Sequence, residues 1–195
     1  HDETKPGRLG SCGRVSPGVD VKLFDADMKE VGIGEPGEIC VRGPLLMDGY
    51  WKRPDANAET LRGGWLHTGD VAVKDSEGYY YIVDRTKDMI ISGGFNIYPR
   101  EVEDALMSHP SVASAAVIGI PDEKWGEAVK GFVVLKAGAN SGVAELQAHV
   151  KDRRGAPWSP KTIDFVETIP VTGLGKIDRK ALRAPYWEGR TRGVA

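Results

Sequence analysis

The chain has 195 residues, 41% of them hydrophobic and 28% charged, and a formal net charge of −2. That length allows one or two small cores, and the composition excludes a disordered chain. Its longest apolar runs, such as "VASAAVIGI" (112–120), fall far below the roughly 20 residues of a bilayer span, so no transmembrane segment is expected.

The first ten residues, "HDETKPGRLG", carry neither an initiator methionine nor an apolar signal segment and suggest a fragment that begins inside a loop. Residues 1 to about 85 then alternate short strands ("DVKLF", "GEICVRG", "VAVKD", "YYYIVD") with Gly- and Pro-rich turns. One short helix interrupts them, "ANAETLR" after the Pro54 break, with Asp55 as its expected N-cap.

Beyond Lys87 the pattern changes. "PREVEDALMSHP" places Pro99 at a first helical position, acids in the first turn, and Val102, Ala105 and Leu106 on one face. "ASAAVIGI" and "AVKGFVVLK" are expected strands, Ser141 an N-cap for "GVAELQAHVKDRR", "TIDFVE" a further strand, and Asp178 the N-cap of "RKALRA". The expected fold is α+β: an antiparallel β-rich unit (1–86) followed by a small α+β unit (87–195). The charged "DRTKD" (84–88) between apolar strands is the natural linker.

Cys12 and Cys40 show neither a C-x-x-C spacing nor a nearby histidine in sequence, so reduced thiols are expected, with no metal site. From Val150 to Ala195 there are 10 Lys/Arg against 5 Asp/Glu, a local excess of +5 set against −7 elsewhere. A basic end suits a polyphosphate, although a solvated face explains it as well. No nucleic-acid partner is expected.

The segment "PVTGLGKIDRKAL" (170–182) looks at first like a phosphate-binding loop. A Walker-type loop needs a glycine at its first place and a Ser/Thr after the lysine, to wrap the phosphates and hold magnesium. Pro170 and Ile177 stand there instead, so Lys176 requires another explanation.

Four segments supply it: "GWLHTGD" (64–70), "YYYIVDRTKDMIISGGFNIYPREVE" (79–103), "IPDEKWGEAV" (120–129) and "PVTGLGKIDRKAL". In order and spacing they resemble the adenylate-forming, AMP-binding superfamily, and the chain is similar to the C-terminal third of an AMP-forming acyl-CoA synthetase. "RRGAPWSPK" and "APYWEGRTRGVA" resemble actinobacterial fatty-acyl-CoA synthetases most closely.

The resemblance implies a reaction of a fatty or aryl carboxylic acid with ATP to an acyl-adenylate, followed by transfer to CoA and release of AMP. It implies that Asp70 and Arg85 bind the ribose, as an acidic residue and a fixed guanidinium can. A turn carboxylate capping its own backbone and a surface ion pair are their plain alternatives. Lys87 falls at the superfamily's hinge, a place that tolerates large backbone rotation. Gly93 and Gly94 would line the pantetheine tunnel, unless they are simply a glycine turn. Trp125 would pack on the pantetheine, unless it covers the core, and Lys161 would contact the CoA nucleotide.

Lys176, on a loop freed by Gly173 and Gly175, would bridge carboxylate and α-phosphate during adenylation. The same resemblance implies a lysine acetyltransferase acting on Lys176, a cytoplasmic location, and Mg²⁺ held by residues of the large N-terminal part. The phosphate loop and the acyl pocket are not in this sequence, so the fragment alone is expected to be inactive. An adenylation domain that loads a carrier protein, and a non-catalytic nucleotide- or CoA-binding module, are the alternatives.

Overall fold

The computed structural model describes residues 8 and 10–190. The loop expected at the extreme N-terminus and the last residues of "APYWEGRTRGVA" lie outside the described residues. The chain forms two compact units, one ending at Thr86 and the other beginning at Lys87.

In the first unit four strands pair antiparallel in chain order: β1 (Asp20–Phe24), β2 (Gly37–Arg42), β3 (Leu66–Lys74) and β4 (Tyr80–Arg85). Leu23, Ala72 and Tyr80 fill one small cluster, and Phe24, Cys40 and Trp65 another, with Phe24 and Trp65 edge to face at 5.4 Å. The helix α1 spans Pro54–Thr60. Its N-cap is Arg53 with no side-chain cap, and Asp55 lies inside the first turn. Proline at the first helical position explains the difference: it needs no donor satisfied there, and it fixes the boundary two residues earlier than the Asp signal suggested. "HTGD" also departs from a free turn. All four residues belong to β3, which carries register irregularities between Glu38 and Cys40 of β2 and between Val71 and Ala72.

The second unit holds β5 (Ile90–Ser92), β6 (Phe95–Ile97), α2 (Pro99–Met107), β7 (Val112–Asp122), β8 (Gly126–Leu135), α3 (Val143–Arg154), β9 (Thr162–Phe165) and α4 (Arg179–Trp187). The sheet runs β6-β5-β8-β7, and β9 lies parallel to β8. β7 and β8 pair along nearly their whole length, and period-2 alternation gives them two apolar faces. Ala115 and Val117 join Val129 and Val133 beneath α2 and α3, where Val102, Leu106, Leu146 and Val150 are fully buried. Ala116, Ile118 and Phe132 face the other way, against Ile177, Leu182 and Tyr186. Each fully buried aliphatic side chain contributes about 1.5–3 kcal/mol.

The α2 stripe and the Asp178 cap match expectation: Asp178 accepts the Ala181 N–H at 2.9 Å. At α3 the N-cap is Gly142 instead of Ser141, and the order of bonding is reversed. The Glu145 carboxylate reaches back to accept from the Ser141 hydroxyl at 2.7 Å and the Gly142 N–H at 3.4 Å. Gly93 and Gly94 form the two-residue β5–β6 turn, with φ of +59° and +84°, the left-handed values that such a hairpin requires.

Candidate functional site

Candidate residues fall into three groups, one in the first unit and two in the second. In the first, Asp70 and Arg85 are direct partners across β3 and β4, with Nε to Oδ1 at 3.4 Å. Both side chains are about half-exposed, so the pair faces solvent. The backbone under Asp70 is tightly held. Its N–H donates to Thr68 Oγ1, whose own proton goes to the Ile39 carbonyl at 2.8 Å. The Glu38 carboxylate accepts from the Gly69 N–H at 3.0 Å, His67 Nδ1 at 2.7 Å and Arg62 at 3.1 Å.

That network corrects the expectation that the cysteines lack a histidine neighbour. β2–β3 register sets Cys40 opposite His67, and Sγ lies 3.3 Å from Nδ1. Glu38, Cys40 and His67 offer ligand atoms within 4.8 Å of one another. Burial, and then the Glu38 charge, push the Cys40 thiol up to about 12, which keeps it protonated. By accepting from Gly69, His67 and Arg62, Glu38 braces the "HTGD" strand. At pH 8 a thiol with that pKa is only about one part in 10⁴ thiolate. An aromatic disulfide reagent should therefore titrate one fast thiol per folded chain, the exposed Cys12, and the second only after denaturation. Two fast equivalents would contradict the assignment.

The second group forms around Trp125. A cavity of about 250 Å³ is bounded by Ser92, Gly93, Phe95, Trp125, Ser159 and Lys161, among others. Gly93 donates its N–H to the Trp125 carbonyl at 2.9 Å, and a Cβ added at Gly93 would stand 2.5 Å from Trp125 Cε3. The indole thus packs directly on the glycine, and only glycine fits. Asp122 fixes the Trp125 turn by accepting the N–H groups of Lys124 and Trp125 on one oxygen, at 3.0 and 2.9 Å. Its other oxygen meets Lys161 Nζ at 3.5 Å. These contacts, the Trp125 N–H first, hold the Asp122 carboxyl below the usual carboxylate range. Lys161 and Lys124 both lie near the indole, 5.1 and 4.7 Å from its centroid. An apolar slot with cationic groups at its edge suits a slender chain ending in phosphate. Gly94 is not among the residues bounding it; a Cβ there would meet nothing within 4 Å.

Sequence reasoning missed Asp122, Phe95 and Ser92. Asp122 had a legible signal, an Asp directly before a three-residue turn that is followed by glycine. Phe95 sits at the cavity because β5 and β6 form a hairpin, and Trp158 props it edge-on at 6.0 Å while donating its Nε1–H to Glu101.

The third group is Lys176 alone. It lies on a small hairpin closed by the Val171–Ile177 bridge, by the Thr172 N–H to the Lys176 carbonyl at 2.7 Å, and by the Gly175 N–H to the Thr172 carbonyl at 2.8 Å. Its side chain is exposed and does not border the Trp125 cavity. Lys87 is exposed on the 3-10 turn Thr86–Asp88, where the second unit begins.

Residues 1–51 match the AMP-binding enzyme family and residues 101–176 match the AMP-binding enzyme C-terminal domain. The chain belongs to the adenylate-forming, AMP-binding enzyme superfamily. Within it the chain is 54% identical, over its whole length, to a medium/long-chain-fatty-acid–CoA ligase, FadD8, of Mycobacterium tuberculosis, covering 35% of that protein. A feruloyl-CoA synthase of Amycolatopsis is 48% identical across 92% of this chain and 36% of its own. Among solved structures, the amide bond synthetase McbA of Marinactinospora thermotolerans aligns with a TM-score of 0.83 at 40% identity, over 95% of this chain and 38% of that one. The o-succinylbenzoate CoA synthetase MenE of Bacillus subtilis, bound to its acyl-adenylate, aligns at 0.79 and 38% identity, over 90% and 36%. The chain spans about a third of the length of the curated relatives it matches.

Proposed function

We propose that this chain is the C-terminal third of an AMP-forming acyl-CoA synthetase that activates a fatty or aryl carboxylic acid with ATP and transfers the acyl group to CoA. The observation that carries the reading is the cavity at Gly93, Trp125 and Lys161, three segments folded together around a slot that fits a thin thiol arm. Asp70 accepts the ribose hydroxyls of the nucleotide, and Arg85, set opposite it, steadies the carboxylate and reaches the same sugar. Lys176 stabilises the charge that builds as the carboxylate attacks the α-phosphate and pyrophosphate leaves. Lys87 is the pivot that presents first Lys176 and then the Trp125 cavity to the same reacting centre.

Magnesium takes hard oxygen ligands, which the Cys40 and His67 side chains of the first-unit cluster do not supply. We assign it to residues outside this chain, where it would neutralise the polyphosphate. The relatives are named as CoA ligases, which supports CoA over a carrier protein as the thiol acceptor and favours a catalytic parent over an inert binding module. No helix among the described residues is long and apolar enough to cross a membrane, and we assign the reaction to the cytoplasm, where ATP and CoA are supplied. The exposed Lys176 hairpin is also accessible to a lysine acetyltransferase, and acetylation would remove the charge that adenylation needs.

The test compares the 195-residue chain with a full-length enzyme containing it. The full-length enzyme is expected to form acyl-CoA from a medium- to long-chain fatty or aryl acid, ATP and CoA, while the chain alone gives no carboxylate-dependent ATP–pyrophosphate exchange. Exchange by the chain alone would overturn the division of labour. Failure of the full-length enzyme with every such acid would overturn the substrate class.

A further inference from the structure

The Lys176 hairpin is bonded mainly to itself. Beyond its internal bonds it is closed by the Asp178 N–H donating to the Pro170 carbonyl at 2.9 Å, and Val171 and Leu174 at its tip are 60% and 89% exposed. Its Ile177 rests partly buried against Ala116, Ile118 and Phe132, and beyond that contact its place in the unit is set where it joins α4, which starts three residues after the lysine. α4 has no fully buried residue and carries Pro185 inside it. Leu182 and Tyr186 rest partly buried on Ala116, Ile118 and Phe132, a contact that is attractive but non-directional.

Direction comes from the Trp187 Nε1–H, which donates to the Gly119 carbonyl at 3.0 Å at the end of α4, and from two buried arginine–carboxylate pairs. Arg183 places both terminal nitrogens on Asp88 Oδ1, each at 3.0 Å, with side chains only 16% and 10% exposed. Arg179 lays one nitrogen across both oxygens of Glu103, at 2.8 and 2.7 Å, and the Glu103 side chain is 6% exposed. Glu103 Oε1 also accepts the Val117 N–H at 2.9 Å, tying the pair to β7. Arg179 Nε is buried and finds no partner among the described residues. A buried ion pair with an unsatisfied donor is a poor way to gain stability, since apolar residues of like volume often do as well or better. What such a pair offers is a fixed distance and orientation.

Asp88 immediately follows Lys87, the first residue of the second unit. We propose that Arg183–Asp88 and Arg179–Glu103 are positioning pairs which lock α4, and with it the Lys176 hairpin, to the residue after the pivot and to α2, so that rotation at Lys87 carries the lysine as part of one rigid body. The proposal rests on Lys176 as the adenylating lysine and Lys87 as the pivot. Neither arginine nor either acid touches substrate; each acts through the placement of Lys176.

The experiment uses the full-length enzyme with Arg183→Met, Arg183→Lys and Glu103→Gln, and with Lys176→Ala as reference. Each is measured for ATP–pyrophosphate exchange, for thiolation of supplied acyl-adenylate, and for thermal midpoint. Arg183→Met and Glu103→Gln are expected to lower kcat of exchange about 10- to 100-fold, the scale of a displacement near 1 Å. KM for ATP and the thiolation rate should stay within about twofold, while the midpoint falls because each substitution leaves a buried charge without its partner. Arg183→Lys, which keeps a charge for Asp88, should retain more exchange than Arg183→Met. If Arg183→Met does not accumulate folded, Glu103→Gln, which is isosteric and still accepts from Val117, decides on the same criteria. Equal loss of both half-reactions, or loss of neither, while Lys176→Ala remains selective, overturns the positioning pairs alone. A Lys176→Ala variant with no selective loss overturns the lysine assignment and the pairs with it.

Discussion

Lys176→Ala in a full-length enzyme containing this chain is expected to slow acyl-adenylate formation by roughly 10²- to 10³-fold while leaving thiolation of a supplied adenylate within about twofold. The asymmetry follows from the position of the side chain. It is exposed on a hairpin whose backbone bonds do not involve it, so alanine removes a charge without opening a core. In the proposed role the ammonium would meet charge that grows as pyrophosphate departs, and an interaction made mostly in the transition state appears in kcat. With Lys87 as the proposed pivot, thiolation would offer it no such charge, because the hairpin would have turned away and the Trp125 cavity taken its place. Single-turnover measurements of the two half-reactions give the answer directly. Equal loss in both would remove Lys176 from the assigned role.

Gly93→Leu is expected to give the opposite profile, with thiolation reduced at least ~10²-fold and adenylation changed by less than about threefold. Two costs combine at this position. The backbone φ of +59° is one that L side chains rarely adopt, and the new Cβ would lie 2.5 Å from the Trp125 ring. The indole must swing out, and the isobutyl group then occupies the slot of about 250 Å³ in which the thiol arm is proposed to lie. Gly94→Ala separates the two costs. Gly94 shares the positive φ, at +84°, but has no atom within 4 Å of an added Cβ. It should therefore carry backbone strain without blocking the slot. Normal acyl-CoA production by Gly93→Leu would show that the cavity is not the thiol path.

The parts of this structure legible in the sequence are those that short-range chemistry specifies. Val102, Ala105 and Leu106 follow a helical period and are all buried on α2. Asp178 precedes a helix and caps it, and a Gly-Gly pair between two apolar strands makes a tight hairpin. Two caps were misplaced for equally local reasons. Pro54 takes the first helical position and moves the cap to Arg53, while Glu145 supplies the side-chain bonds expected of Ser141. What stayed hidden depends on register or on distance along the chain. Cys40 meets His67 only because β2 and β3 pair as they do, across 27 residues. Arg183 finds Asp88 across 95 residues, and Arg179 finds Glu103 across 76. An Arg or an Asp in isolation carries no mark of its partner, so neither pair could be read before the fold placed them together.

The division of the chain at Thr86 has a consequence for how such enzymes diversify. Asp70 and Arg85 form their pair within one β-hairpin before that point, and Glu38 and His67, which support it, lie in the same sheet. The Trp125 cavity, the Lys176 hairpin and the arginine pairs of α4 all close after it. A genetic crossover between Arg85 and Lys87 would therefore cut through none of these contacts. The end proposed to hold the nucleotide and the end proposed to accept the thiol could then be inherited from different ancestors, each arriving with its own supporting bonds intact.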